Sequence, residues 1–242
     1  MSIRFASLAA ISLIASACNF GDGAGAKDRD AGPEVTRNYQ VGAFDKVAVA
    51  GPYEVNVVTG GKGGVTARGG QHLLDETEVV VDGDTLEIRP KKKSGMRWSW
   101  GGGKAVFTVN AAALRGAAIA GSGGVTVDKV AGDFEGDVAG SGDLRIGQME
   151  GGKATFAIAG SGDIEAAGKA DAVELSIAGS GDIRAAGLTA RTAEVTIMGS
   201  GNVAANASES AEVSMAGSGN VDISGGAKCS VSKAGSGNVN CR

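Results

Sequence analysis

The hexapeptide Ala159-Gly160-Ser161-Gly162-Asp163-Ile164 has close relatives at Ala120–Val125, Ala139–Leu144, Ala178–Ile183, Met198–Val203, Ala216–Val221 and Ala234–Val239. Their first glycines are Gly121, Gly140, Gly160, Gly179, Gly199, Gly217 and Gly235, a spacing of 18 to 20 residues. A period of that length denotes stacked supersecondary units and is too short for a pair of helices. On the N-terminal side of the turn, Ile119, Val138, Ile158, Ile177, Ile197 and Met215 all stand two residues before the glycine. On the C-terminal side, Val125, Leu144, Ile164, Ile183, Val203, Val221 and Val239 stand four after it. Apolar residues of period two on both sides predict two strands per coil, each sending one face inward. The expected architecture is all-β, a two-sheet β-solenoid whose coils pair at the ~4.8 Å strand spacing. Glycines at the corners supply positive φ, and the short Ser and Asp or Asn side chains bond nearby backbone, so a bulky residue at Gly162 is expected to strain the turn.

Composition fits this reading. The 242 residues include 42 glycines but only three prolines, two Trp, two Tyr and six Phe. The glycines follow no Gly-X-Y pattern, which excludes collagen. A net charge of −4 lacks the basic footprint of a nucleic-acid partner.

The N-terminus reads as an export signal over residues 1–17: Arg4, an apolar run from Phe5 to Ile14, then Ala15-Ser16-Ala17. The apolar run is too short to span a bilayer. Cys18 follows in a context similar to the bacterial lipobox and is the candidate lipidation site. Ala15 stands where that motif usually has Leu, which leaves ordinary cleavage after Ala17 as the alternative. Asn19 after the cysteine is similar to the sorting signal for the outer membrane. Residues 18–38 are small, polar and charged without apolar period, and are expected to form a flexible tether. The remainder, 39–242, is expected to be one solenoid domain, with irregular first coils over 39–115 and the glycine-turn repeats over 116–242.

Within the irregular part, Val79-Val80-Val81 and Leu86-Glu87-Ile88 flank Asp82-Gly83-Asp84, a hairpin signal. A basic cluster containing Lys91, Lys92 and Lys93 precedes Trp98-Ser99-Trp100 and three glycines. Those lysines, with Trp98 and Trp100, are candidate contacts for an anionic glycan or lipid headgroup, since indole faces and cations suit such partners. A charged surface loop is the plain alternative.

Stacking turns sequence columns into surface ladders. The turn column reads Asp143, Asp163, Asp182, Asn202, Asn220, Asn238. Its carboxylates at strand spacing need solvent, a cation such as Ca²⁺, or turn-capping contacts, and the drift from Asp to Asn favours capping. A second column, Glu135, Thr155, Glu174, Glu194, Glu212, is expected to make an acidic stripe on an outer face. Among the three cysteines, Cys229 and Cys241 lie six residues either side of Gly235. If that turn reverses the chain between facing strands, the thiols meet across the core as a disulfide requires. Three free thiols are the alternative. Lys233 replaces the apolar residue of its column, which suits a cap at an open sheet end.

A periplasmic carbohydrate-binding or carbohydrate-active β-helix is the rival function, since polysaccharide lyases and esterases use β-helices. Against it, the sole histidine, His72, has no nucleophile signature or metal-ligand spacing around it. No catalytic residues and no cofactor are therefore expected.

The repeated Ala-Gly-Ser-Gly-Asp/Asn turns, with Phe44-Asp45-Lys46-Val47 leading into Gly51-Pro52-Tyr53-Glu54-Val55, resemble the bacterial family of putative autotransporter adhesins with a head GIN domain. The resemblance covers about Phe44 to Cys241. It implies a right-handed, pectin-lyase-like superhelix of two sheets, no conserved catalytic set, and a role in cell adhesion. No series of membrane strands follows the repeats, so surface attachment is expected through Cys18. The expected partners are a glycan or a cell-surface protein, and the membrane through a lipid anchor.

Overall fold

The computed structural model describes residues 31–91 and 104–242. The repeat folds as its alternation dictates. Strands β8 (Gly116–Gly121), β10 (Phe134–Gly140), β12 (Lys153–Gly160) and β14 (Ala172–Gly179) precede glycine corners. Strands β9 (Gly124–Ala131), β11 (Asp143–Glu150) and β13 (Asp163–Lys169) follow them. β15 (Asp182–Gly199) and β16 (Asn202–Gly217) are long enough to run through a corner and serve both sheets. β17 (Asn220–Ser224), β18 (Lys228–Ala234) and β19 (Asn238–Cys241) complete the stack.

Each strand pairs in parallel with its equivalent one coil away. One sheet runs β8-β10-β12-β14-β15-β16-β18 and the other β9-β11-β13-β15-β16-β17-β19. Register holds residue by residue in the first sheet, so Ile158, Ile177, Ile197 and Met215 form one buried row. In the second sheet, shifts beyond Ile146, Glu165 and Ala185 absorb the one- or two-residue differences in coil length as bulges. The solenoid makes about seven turns around one apolar core.

The N-terminal part departs from simple order. β2 (Lys46–Ala50) and β3 (Glu54–Thr59) form a coil against β8 and β9, joined at a corner where Gly51 has φ 125° like the repeat glycines. β1 (Glu34–Tyr39), β4 (Gly64–Gly70), helix α1 (Gln71–Asp75), β5 (Thr77–Asp82), β6 (Thr85–Pro90) and β7 (Ala105–Ala111) lie beyond that coil. β6 pairs with β2 and β7 with β3, so a coil later in the chain stacks outside an earlier one. The chain then returns past it to begin β8. Antiparallel strands finish both sheets: β5 on β6, through the hairpin at Gly83, and β4 on β7 with β1 on β4. From β5 to β18, the nine strand spacings of the first sheet span roughly 40 Å.

β1 corrects the expected tether, because residues 34–38 are strand and not linker. Val35 and Tyr39 pack against the core from one face. On the other, Arg68 pairs with Glu34 at 2.6 Å and Thr66 donates to Asn38 at 2.8 Å. That alternation is short and mostly polar, so it carries little periodic signal.

Candidate functional site

The repeated turn is built by two different constraints. Gly160 has φ 139°, a conformation L side chains rarely adopt. Gly162 has no such φ; a Cβ there would sit 2.1 Å from the carbonyl oxygen of Gly142 in the coil below. The expectation that Gly162 resists substitution therefore holds for close approach and not for backbone freedom. Ser161 N donates to Gly140 O at 2.8 Å, Ser180 N to Gly160 O at 2.8 Å and Ser200 N to Gly179 O at 2.9 Å. The sheet ladder thus continues around the corner.

The Asp/Asn column is occupied in the same way. Backbone N–H groups of Asp182, Asn202 and Asn220 donate to the Oδ1 atoms of Asp163, Asp182 and Asn202 at 3.1 to 3.2 Å. Asn202 and Asn220 add side-chain Nδ2 bonds to the preceding residue at 2.8 and 2.9 Å. An Asn can donate to the residue below and accept from the one above, so a stack of Asn satisfies itself where a stack of Asp cannot. Between Asp163 and Asp182 lies the guanidinium of Arg184, 2.7 Å from Asp163 Oδ2 and 2.9 Å from Asp182 Oδ2. The cation on this ladder is an arginine. Arg145 pairs across the strands with Glu165 at 2.9 Å.

Glu135, Thr155, Glu174, Glu194 and Glu212 stand in one register row on the outer face of the first sheet. Lys153 reaches Glu174 at 2.6 Å, and that contact raises the ammonium's proton affinity. Beside this row, Asp137 stands between Ala118 and Ala157. Burial, with the Glu135 charge adding to it, pushes the Asp137 carboxyl above its ordinary range. Among the described residues, no group of three His, Cys, Asp or Glu is placed to hold a metal ion. A recess beside the bulge is lined by Gln148, Met149, Glu150, Gly168 and Lys169.

Of the basic, tryptophan-bearing stretch, only Lys91 lies within the described residues; Lys92, Lys93, Trp98 and Trp100 lie outside them. Lys91 Nζ donates to Asp75 O at 2.6 Å, at the C-terminal end of α1. Cys18 and residues 1–17 also lie outside the described residues.

The two ends of the core are closed differently. At the N-terminal end α1 directs Leu73 and Leu74 into the core. Tyr53 packs edge-on against Phe107 at 5.4 Å, and its buried hydroxyl lies 3.0 Å from Thr77 Oγ1, which donates to Leu73 O. At the other end Cys229 and Cys241 form a disulfide joining β18 to β19, as expected from their offsets around Gly235. Lys233 folds over that end, its Nζ donating to Gly237 O at 2.7 Å. Val231, in a column buried in every coil below, is 48% exposed. The charge of this last coil escaped the sequence reading. Residues 116–222 hold fifteen acidic and six basic side chains, but 223–242 hold Lys228, Lys233 and Arg242 with no acid.

Residues 43–227 match the family model described as "Putative auto-transporter adhesin, head GIN domain". The chain belongs to this head GIN domain family. A crystal structure of a putative adhesin from Bacteroides fragilis is similar at 25% identity and TM-score 0.77, covering 87% of this chain and 97% of that one. A putative lipid binding protein from Parabacteroides distasonis is 25% identical with TM-score 0.67, over 87% and 97% of the two chains. A putative adhesin from Parabacteroides merdae, 16% identical at TM-score 0.67 over the same shares, has the same fold. No curated protein matches the sequence. The family description and that of the Bacteroides fragilis neighbour are those of putative adhesins.

Proposed function

We propose that this head GIN protein is an exported envelope lipoprotein, anchored through Cys18 in the outer membrane, with a non-catalytic, adhesin-like binding role. The observation that carries the non-catalytic part is the fate of the repeated polar residues. Asp163, Asp182, Asn202 and Asn220 bond the backbone of neighbouring coils, and Arg184 binds two carboxylates. Groups held in this way are not converging on a substrate. The anchor fits the placement of β1, since a chain entering from Cys18 reaches the N-terminal end of the stack and leaves β18 at the far end. Mass spectrometry of the mature N-terminus should find a diacylated Cys18; an unmodified cysteine, or cleavage elsewhere, contradicts the anchor. Incubation with a polysaccharide panel should release no product, and turnover of any member contradicts the non-catalytic assignment.

A second reading is supported by the lipid-binding description of the Parabacteroides distasonis neighbour. The cationic stretch from Lys91 through Trp100 would then contact an anionic lipid headgroup or glycan. Binding to phosphatidylglycerol vesicles or acidic glycans that disappears in Trp98→Ala/Trp100→Ala favours it.

A further inference from the structure

The Asp/Asn ladder along the body is occupied by its own neighbours, and the N-terminal end is plugged. The β18–β19 edge differs from both. Each of these strands pairs on one side only among the described residues, β18 with β16 and β19 with β17. Among the described residues its other side presents unpaired backbone donors and acceptors, the groups with which an edge strand accepts a further strand.

Side chains at this edge specify what it accepts. Val231 is half exposed at the end of an apolar column, so a strand added there would bury it. Lys228 and Lys233 lie on the same strand as Val231 and Arg242 follows β19; residues 223–242 carry no acidic side chain, while the adjoining body carries a large acidic excess. An acidic segment is repelled from the flanks and attracted to the edge. A second copy of this chain, meeting edge to edge, would bring the two sets of cations together, which opposes self-association.

We propose that the outer edge of β18 is a docking site for an extended acidic segment of a partner protein, added as a further strand over Val231 and held by Lys228 and Lys233. The inference goes beyond the adhesin-like reading and depends on neither Cys18 nor the Lys91–Trp100 stretch.

The test uses the full chain purified in mild detergent and a fluorescent peptide of about eight residues alternating valine and aspartate, long enough for one strand. Saturable binding is expected. It should weaken roughly tenfold in Lys228→Glu/Lys233→Glu and also in 1 M salt, where screening is short-ranged. A peptide of the same charge with proline in place of alternate valines should bind at least about tenfold more weakly, because proline cannot donate to the ladder. Because Lys233 caps its own coil, Lys228→Glu alone and circular dichroism of both variants guard against misfolding; the single variant should lose affinity with an unchanged spectrum. Absence of saturable binding, equal binding of the proline peptide, or indifference of folded Lys228→Glu overturns the proposal. So does a concentration-dependent dimer in ultracentrifugation that competes with the peptide, which would assign the edge to a second copy.

Discussion

The two ends of this solenoid solve the same problem with different chemistry. A stack of parallel coils leaves unpaired strand edges and an open core at both ends. At the N-terminal end, residues from Glu34 to Ala111 close it by folding: antiparallel strands β1, β4 and β5 turn the sheet direction, and Leu73, Leu74, Tyr53 and Phe107 fill the opening. At the C-terminal end a covalent bond and one lysine stand in place of a cap, and the last apolar row is half in water. An end closed by packing gains stability from burial and is coupled to the whole core. An end closed by a cross-link is restrained mainly by lost chain entropy in the opened state, and it can open locally.

The largest expected effect lies between the ends and sets the scale for both. Gly162→Val places side-chain atoms where the Gly142 carbonyl stands, and the coil interior has no room to yield. It should cost about 3 kcal/mol or more and lower the urea midpoint of global unfolding, if folded protein is recovered at all. Leu74→Ala should cost about 3 kcal/mol by cavity formation and appear in the same global transition. If its effect were confined to residues near α1, the N-terminal plug would be no better coupled than the disulfide end.

The smallest effect depends on pH and belongs to the body. The Asp137 carboxyl is raised in the folded state, so the folded protein holds this proton more tightly than the unfolded chain does. Stability is then lost as pH rises through the window above the ordinary Asp value, and ionised Asp137 is destabilising at neutral pH. Asp137→Asn should raise the urea midpoint at pH 7, and the gain should vanish near pH 3. An equal gain at both values would locate the effect elsewhere.

The sequence made the C-terminal half legible because its signals repeat. Seven glycine corners report the same geometry, and the alternation around Ile158 or Ile164 reads directly as an inward face. The disulfide was readable for the same reason, since Cys229 and Cys241 sit at known offsets from a known corner. The N-terminal half was legible only locally. The hairpin at Gly83 announced itself, but nothing in one chain marks that β6 and β7 stack outside β2 and β3, because strand order across a sheet is set by tertiary packing. β1 was missed because Val35-Thr36-Arg37-Asn38-Tyr39 is stabilised by pairs such as Arg68 with Glu34, whose partners lie far away in sequence. Turn chemistry was legible by residue type but not by cause: both glycines of each corner looked alike, although both are required by close approach and only the first also by a positive φ. The neutralisation of Asp163 and Asp182 by Arg184 depends on a side-chain direction that columns alone do not show.

That the two ends are held by different means is tested most directly by amide hydrogen exchange of the intact chain with and without reductant. With the disulfide formed, the amides of β18 and β19 that bond to β16 and β17 should be protected; after reduction those amides should exchange faster by up to about a hundredfold, the ~3 kcal/mol scale of a short cross-linked loop. Amides of β4, β5 and β6 should be unchanged. Equal protection of β18 and β19 in both states, or loss of protection at both ends together, would contradict the account.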